Sequence, residues 1–278
     1  MKQTLLILSL LISISHSALA NNEKKQSAEP KEKALLFIGN SYTAGLKKAF
    51  LNILRYEKVK ANVKFITKGA ATMEDHASRG SIRSAIKRED WDYVILQGQS
   101  SEASSVFPPE PKKKGDKNLT QFEEFVQACA QLDQQIKKAE AQTMFFMTWA
   151  KRGTPDFYME QRFISGSYNF IAKKLNAEVA PVGLVWEKIH RTNIRTGNKL
   201  FASDGSHASR QGSFASALTF YCKIYDVKAV DVKYKHRLRK KDEKIVKEAV
   251  DEVLAAIKAQ ELKEAEEELI EAEAKEKK

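Results

Sequence analysis

Cysteine is scarce in this 278-residue chain, which contains only Cys129 and Cys222. Two cysteines allow one disulfide at most, and they exclude a scaffold held together by disulfides. Both residues lie in apolar helical patterns, where two buried free thiols are as reasonable as one disulfide, so both alternatives stay open. The cysteines have no metal-ligand spacing, and the sequence predicts neither a metal site nor an organic cofactor.

Long apolar runs are absent after the N-terminus, so no transmembrane span is expected. Residues 1–20 combine Lys2, the apolar stretch Leu5–Ile14 and the cleavage pattern Ala18-Leu19-Ala20. This arrangement is typical of a secretory signal peptide, and an uncleaved N-terminal anchor is the alternative. Cleavage near Ala20 removes 20 of the 278 residues and leaves 258. The mature chain is therefore expected to be periplasmic or secreted.

A nucleic-acid-binding motif is also missing, although the formal net charge is +11. The basic residues are scattered among acidic ones and are not interleaved with aromatic residues. Removal of Lys2 with the signal peptide lowers the charge to +10, which suits an anionic polymer or cell surface. A nucleic-acid partner would rest on charge alone and would conflict with export, so none is expected.

The chain between residues 34 and 240 alternates short apolar runs with amphipathic stretches, after a polar linker over residues 21–33. Such alternation indicates an α/β domain with a parallel sheet, and it predicts a three-layer α/β/α sandwich with a flavodoxin-like sheet. The predicted strands are Ala34–Ile38, Val63–Ile66, Tyr93–Leu96, Thr143–Thr148 and Glu178–Pro181. The predicted helices are Ala44–Tyr56, Met73–Arg88, residues 120–139, Phe157–Leu175, a helix carrying Trp186, and Ser209–Tyr225.

The C-terminal residues 241–278 are almost entirely helix formers and predict one charged helix. Apolar residues from Ile245 to Ile257 form a stripe that we expect to dock on the domain. Beyond Gln260 the stripe thins among glutamates, and an exposed helix end is expected there. The heptads are too few to predict a coiled coil.

Four short polar stretches lie at or beside the ends of predicted strands. Asn40 and Ser41 are ordinary turn and helix-capping residues, but the carboxyl end of a strand is also where α/β proteins carry reactive groups. A serine becomes a nucleophile when a histidine accepts its proton and a carboxylate orients that histidine. Ser41, His207 and Asp204 could supply these three parts. The four stretches are Gly39-Asn40-Ser41-Tyr42, Lys68-Gly69-Ala70-Ala71-Thr72, Gln97-Gly98-Gln99-Ser100-Ser101 and Asp204-Gly205-Ser206-His207.

In this order the stretches resemble the sequence blocks of the SGNH (GDSL-like) hydrolases, over residues 34–225. Gly39-Asn40-Ser41 resembles the Gly-Asp-Ser block with Asn in place of Asp, and Asp204-Gly205-Ser206-His207 resembles the Asp-x-x-His block. The resemblance implies that Ser41 is the nucleophile, His207 the base and Asp204 its orienting partner. It also implies an oxyanion hole built from backbone N–H groups and one side-chain amide.

Two stretches depart from the pattern of that family. Ala70 stands where the second block has glycine, yet its backbone N–H could still serve if the local backbone conformation permits. The third block normally reads Gly-x-Asn, whose last position is Ser100 here, whereas the neighbouring Gln99 carries the amide. The oxyanion hole is therefore expected from Ser41, Gly69 or Ala70, and Gln99, with Ser100 as the alternative to Gln99.

Three other assignments have structural alternatives. Trp149 follows a predicted strand and is expected either to wall a substrate pocket or to belong to the core. Asp204 could be a turn or capping residue. His76 follows Glu74 and Asp75, a pattern more typical of a solvated helix face than of a metal site.

The sequence as a whole predicts an exported serine esterase that hydrolyses acyl esters, with acetylated carbohydrates favoured by the resemblance. Its partner would be a small-molecule or polysaccharide ester. The alternative is a non-catalytic carbohydrate- or envelope-binding protein on the same scaffold, for which the altered third block is the best support. The presence of Ser41, Asp204 and His207 together favours the enzyme, because a binding module needs none of that chemistry.

Overall fold

The computed structural model describes residues 32–103, 121–234, 236 and 238–276. The predicted signal peptide and most of the predicted linker lie outside these residues, as does the Pro- and Lys-rich stretch at positions 108–114. None of the helices among the described residues is long and apolar enough to cross a membrane.

Five parallel strands form one sheet in the order β2-β1-β3-β4-β5. This is the flavodoxin-like order, and it confirms the predicted architecture. The strand order reverses between β1 and β3, and a crevice at the carboxyl ends of these two strands is the usual ligand position in such sheets. The strands are β1 (Lys33–Gly39), β2 (Ala61–Thr67), β3 (Tyr93–Leu96), β4 (Gln142–Phe146) and β5 (Glu178–Ala180).

Helices cover both faces of the sheet, because alternate residues of the central strands point to opposite sides. On β1, Leu35 and Phe37 pack into one apolar cluster, whereas Leu36 and Ile38 pack into the other. The first cluster includes residues of α1 (Ser41–Tyr56), α6 (Val182–Thr192), α8 (Arg210–Tyr225) and α9 (Lys240–Glu276). The second includes residues of α2 (Met73–Ala77), α3 (Gly80–Arg88), α4 (Gln121–Lys138) and α5 (Phe157–Leu175).

Some boundaries differ from the sequence-based prediction. The helix predicted over residues 73–88 is two helices, because Arg79 is extended (φ −83°, ψ 123°) and α3 starts afresh at Gly80. The first helix begins at Ser41 rather than Ala44, since the Asn40 side chain caps it. A short helix α7 (Ile194–Asn198), capped by Asn193, was not predicted from the sequence.

Both cysteines are buried and free. Cys129 lies on α4 in the second cluster and Cys222 on α8 in the first, so the sheet separates them. Of the two arrangements that the sequence left open, the structure therefore has two buried thiols. Burial also raises the pKa of both thiols above the usual range, which keeps them protonated and unreactive.

The charged C-terminal helix α9 docks through its apolar stripe, as predicted. Val246, Ala249 and Val250 are buried in the first cluster, and Val253 and Leu254 pack against it. Leu262, Leu269 and Ile270 are exposed further along, so the stripe loses its contact with the domain beyond Gln260.

Two glycines six residues apart provide opposite tests of this packing. A Cβ atom at Gly39 would lie 2.2 Å from Thr43 Oγ1 and 2.6 Å from Gln97 Oε1, whereas a Cβ at Gly45 would meet nothing within 4 Å. We expect Gly39→Ala to lower the free energy of unfolding by about 2 kcal/mol or more through overpacking. Gly45→Ala, in a helix with open space, should raise it by about 0.5–1 kcal/mol.

Urea denaturation of both variants beside the unchanged chain measures these differences. Equal effects of the two substitutions would contradict the close approach at Gly39.

Candidate active site

Ser41 lies at the first position of α1, where strand β1 ends at the reversal of strand order. Asn40 caps the helix, because its Oδ1 accepts a hydrogen bond from the Tyr42 N–H at 3.0 Å. Asn40 therefore has the ordinary role of a helix cap, and the turn that it fixes also presents Ser41 at the end of the strand. The N–H of Ser41 belongs to the positive end of the helix dipole.

A buried glutamine fixes the same turn from the neighbouring strand. Gln97 follows β3, and its Oε1 accepts hydrogen bonds from the Asn40 N–H at 2.9 Å and the Thr43 hydroxyl at 2.9 Å. The Thr43 N–H lies 3.3 Å from the same oxygen. A third segment is tied in by Asn40, whose side-chain amide donates to the Ala71 carbonyl at 3.4 Å. The ends of β1, β2 and β3 are thus locked together around Ser41.

Ser41, His207 and Asp204 form a chain of hydrogen bonds. Ser41 Oγ lies 2.8 Å from His207 Nε2, and His207 Nδ1 lies 2.6 Å from Asp204 Oδ2. Asp204 Oδ1 accepts from the N–H groups of Ser206 and His207, each at 2.9 Å. The three sequence-predicted residues therefore come together although 166 positions separate Ser41 from His207.

The hydrogen bonds of Asp204 determine which nitrogen of the neutral His207 ring carries the hydrogen. The N–H of Ser206, followed by the His207 side chain and N–H, lowers the pKa of Asp204 to about 2, so the carboxylate is ionised at neutral pH. An ionised carboxylate can only accept, so His207 donates through Nδ1–H. Nε2 of the neutral ring is then an acceptor facing the Ser41 hydroxyl, which is the geometry for taking its proton.

The loop carrying Asp204 and His207 is held by backbone contacts on both sides. Gly205 has φ +71°, and a Cβ there would lie 3.0 Å from the Arg152 carbonyl. The Arg152 N–H donates to the Gly205 carbonyl at 2.8 Å, and the Ala202 N–H donates to the His207 carbonyl at 2.8 Å. Glycine is needed here because its backbone is left-handed and closely packed.

A column of stacked aromatic rings lies behind the histidine. Tyr42 meets the His207 ring edge-on at 5.4 Å and stacks on Trp149 at 4.6 Å, and Trp149 stacks on Trp186 at 3.9 Å. Trp149 is 2 % exposed, and its indole N–H donates to the Ser206 carbonyl at 2.9 Å. Trp149 thus lies beneath the site among protein contacts and supports the loop of His207 from below.

Three backbone N–H groups near Ser41 are available to a ligand. Among the described residues, the amides of Ser41, Gly69 and Ala70 donate no hydrogen bond. Ala70 has φ +56°, the left-handed conformation that glycine adopts more easily, in a turn closed by the Ala71 N–H and the Lys68 carbonyl. The alanine therefore keeps the backbone conformation of a glycine turn at the end of β2.

The two candidates for the third block have different surroundings. Gln99 Oε1 accepts from the Ser101 N–H at 2.6 Å and the Ser101 hydroxyl at 2.5 Å, so the side-chain oxygen of Gln99 stabilises its own loop. Ser100 interacts with the Tyr42 hydroxyl, which also bonds Ser206 Oγ at 2.6 Å. The side-chain NH₂ of Gln99 is therefore the candidate donor from this loop. Ser100 instead contacts Tyr42, which packs behind His207.

Glu102 connects two of the blocks around the site. Its carboxylate accepts from the Met73 N–H at 3.0 Å and from the Gln99 N–H, and its side chain is buried. Burial raises the pKa of Glu102 to about 7, against the lowering effect of these two N–H groups. The carboxyl therefore titrates near neutral pH beneath the loops at the ends of β2 and β3.

His76 is buried on α2, and burial, followed by the charge of Arg79, lowers its pKa to about 4. The expected solvated helix face is therefore wrong for this residue, because α2 turns His76 towards the sheet. Within the described part of the chain, no three His, Cys, Asp or Glu side chains are grouped so that they could hold a metal ion.

Sequence reasoning missed the supporting roles of Gln97, Tyr42 and Glu102. The position of Gln97 could have indicated its role, because a polar side chain directly after a buried strand is unusual. No such indication existed for Tyr42 and Glu102, since each acts through partners that are distant in sequence.

Solved structures share this fold. Neither a protein-family model nor a curated protein sequence matches the chain. A DUF4886 family protein from Bacteroides uniformis is 15% identical, with a TM-score of 0.68 over 81% of this chain and 95% of the other. A protein from Slackia heliotrinireducens, assigned to the SGNH hydrolases, is 23% identical, with a TM-score of 0.52 over 68% of this chain and 97% of the other.

An acetyl xylan esterase, AlAXEase, is 14% identical, with a TM-score of 0.52 over 69% of this chain and 99% of the other. These likenesses and the strand order together confirm that the chain has the fold of the SGNH (GDSL-like) hydrolases.

The left-handed Ala70 gives a stability prediction. Ala70→Gly should raise the free energy of unfolding by about 0.5–1 kcal/mol, because relief of the left-handed strain exceeds the added entropy of the unfolded chain. Ala44→Gly, at an exposed position inside α1, is the matched control and should lower it by about 1 kcal/mol. Chemical denaturation measures both, and a loss of stability in both variants would contradict the strain at Ala70.

Glu102 gives a pH prediction. Its native pKa of about 7 exceeds the ordinary value of 4.5, so the native state holds the proton more tightly than the unfolded state does. The stabilisation is fully present below about pH 4.5 and is lost as the pH rises through about 7, by roughly 3 kcal/mol. We expect Glu102→Gln to lack this part of the pH dependence of the free energy of unfolding.

Glu124→Gln, on the exposed side of α4, is the control and should keep the pH dependence of the unchanged chain. Parallel stability curves for Glu102→Gln and the unchanged chain between pH 4.5 and 8 would rule out the raised pKa.

Proposed function

We propose that this chain is a serine esterase that hydrolyses carboxylic esters through an acyl-enzyme on Ser41. The proposal is carried by one observation, the hydrogen-bonded sequence from Ser41 Oγ through His207 to Asp204 at the reversal of strand order. A binding protein would gain nothing from an ionised carboxylate that sets the tautomer of a histidine facing a serine hydroxyl. The non-catalytic alternative is therefore less well supported.

In the first half of the reaction, Ser41 Oγ attacks the ester carbonyl while its proton passes to His207 Nε2. Asp204 stabilises the imidazolium that forms, since its carboxylate accepts from Nδ1–H. The tetrahedral intermediate then collapses, the bond to the alcohol oxygen breaks, and His207 returns the proton to the leaving alcohol. In the second half, water attacks the acyl-enzyme with His207 as base, and the carboxylic acid and free Ser41 are regenerated.

The oxyanion of each tetrahedral intermediate would be stabilised by the N–H groups of Ser41 and of Gly69 or Ala70, with the side-chain amide of Gln99 as a third donor. The Ser41 N–H adds the positive end of α1. One such donor contributes on the order of 3 kcal/mol in related chemistry. The left-handed turn at Ala70 supports this role, because strained backbone of this kind is concentrated at functional sites.

Acetylated carbohydrates are the substrates we favour. Two observations support this choice: an acetyl xylan esterase shares the fold, and the His207 and Asp204 side chains are 48% and 49% exposed. An open site of this kind admits a bulky alcohol, such as a polysaccharide, more readily than a closed pocket does. We further propose that the enzyme acts after export, on the sequence evidence of residues 1–20.

The nucleophile is tested by hydrolysis of p-nitrophenyl acetate, and then by acetate release from acetylated xylan. Ser41→Ala should lower kcat/KM by about a thousandfold or more, because the attacking oxygen is lost. Ser84→Ala, on the exposed side of α3, is the matched control and should keep full activity. Circular dichroism checks the fold of both variants.

Labelling by a fluorophosphonate provides a second reading that does not depend on the choice of ester. Mass spectrometry should find the adduct on Ser41 and none in Ser41→Ala. Equal rates of ester hydrolysis in Ser41→Ala and Ser84→Ala, together with an unlabelled Ser41, would refute the esterase. The binding protein would then be the better hypothesis.

A further inference from the structure

A cavity of about 590 Å³ lies between α1, α8 and the two residues Tyr234 and His236. We call it the α1/α8 groove and define it by these elements. Residues of both helices line it, among them Gly45 and Lys48 on α1 and Arg210 on α8. None of the residues assigned above to the ester chemistry lines this cavity.

The groove runs along α1, which begins at Ser41, and along α8, which begins shortly after His207. Positions 41, 45, 48 and 52 of α1 are spaced four, three and four residues apart, so they share one face of the helix. Gly45, Lys48 and Asn52 line the groove, and Ser41 heads the same face. Lys48 therefore lies two turns from Ser41, about 10 Å along the helix axis. On the other side, Arg210 begins α8 three residues after His207.

Among the described residues, the Lys and Arg side chains that line the groove are Lys48 and Arg210. Lys48 and Arg210 are both exposed, and among the described residues neither forms an ion pair with a carboxylate. In the same part of the chain, no acidic side chain lines the groove. The two basic side chains of the groove are therefore available to bind an anionic group.

The remaining lining is typical of a carbohydrate site. Tyr234 is a partly buried ring, held by its N–H bond to Glu57 Oε1 at 2.7 Å and by ring contacts with Tyr56 at 5.6 Å and Phe214 at 6.1 Å. His236 stacks on Phe214 at 5.1 Å, and within the described residues its buried Nδ1 has no hydrogen-bond partner. An aromatic ring beside two cations can bind both the face of a sugar and an anionic group on it.

We propose that the α1/α8 groove is a subsite for an acidic sugar unit, a uronate, whose carboxylate binds Lys48 and Arg210. The subsite rests on the proposed ester hydrolysis, because it would hold an acidic polysaccharide beside the acetyl group that Ser41 attacks. The direction of α1 sets the order of contacts along the polysaccharide. Its acetyl ester lies at Ser41, the sugar chain passes Gly45, and the uronate reaches Lys48. Gly45 leaves the path open because a Cβ there would meet nothing within 4 Å.

Binding of an unacetylated oligosaccharide tests the subsite without any turnover. Isothermal titration calorimetry of the full chain in 0.15 M salt compares trigalacturonate, which is acidic, with xylotriose, which is neutral. The unchanged chain should bind trigalacturonate more tightly. Lys48→Glu should weaken that binding about tenfold or more, because it replaces an attraction with a repulsion.

Lys47→Glu is the matched control, since it makes the same charge change one position away. Lys47 points to the other side of α1, over the Phe65 ring at 5.6 Å, and its replacement should leave the affinity for trigalacturonate unchanged. Gly45→Leu is a second variant that fills the groove and keeps the charge, and it should also weaken binding.

Three results would overturn the subsite: equal affinity for the two trisaccharides, equal weakening by Lys48→Glu and Lys47→Glu, or full affinity in Gly45→Leu. Equal weakening would indicate general attraction to a basic surface. Hydrolysis of p-nitrophenyl acetate by the same preparation reports on the proposed esterase independently, so the failure of one proposal is distinguishable from the failure of the other.

Discussion

The hydrogen bonds accepted by the buried Oε1 of Gln97 are the constraint on which the site depends. This one oxygen, directly after β3, accepts hydrogen bonds from the Asn40 N–H and the Thr43 hydroxyl, each at 2.9 Å, and thereby fixes the turn between β1 and α1. This contact requires glycine at position 39, because any side chain there would occupy the position of Gln97. The strand order places β1 beside β3, so the same reversal of strand order that opens the crevice also brings Gln97 next to the turn that presents Ser41.

The histidine side of the site is held differently, by packing and backbone contacts over long sequence distances. Tyr42 connects the two halves, since it follows Ser41 in the chain, meets the His207 ring and stacks on Trp149. Trp149 in turn holds the Ser206 carbonyl, and Arg152 holds Gly205. A long column of aromatic rings thus sets the position of the loop that carries Asp204, while the carboxylate itself remains half exposed.

The sequence predicted the fold well, because strand periodicity and short connections constrain a parallel sheet strongly. The order of the four polar stretches predicted Ser41, Asp204 and His207 as site residues, and the structure brings these three side chains within hydrogen-bond distance. It could not assign Gln97 or Glu102, whose roles depend on burial and on partners in neighbouring strands. The break at Arg79 was missed because apolar spacing continues across it, and the burial of His76 was missed because its acidic neighbours suggested a solvated face.

In the proposed acyl-enzyme, the exposure of His207 and Asp204 would determine which molecule removes the acyl group from Ser41. An enzyme that transfers acyl groups to a second alcohol must keep water away from its acyl-enzyme. Here nearly half of the surface of the histidine and aspartate side chains is open to solvent, so water reaches His207 without displacing a covering segment of the described chain. In the proposed esterase, hydrolysis would therefore be favoured over transfer of the acyl group to a second alcohol.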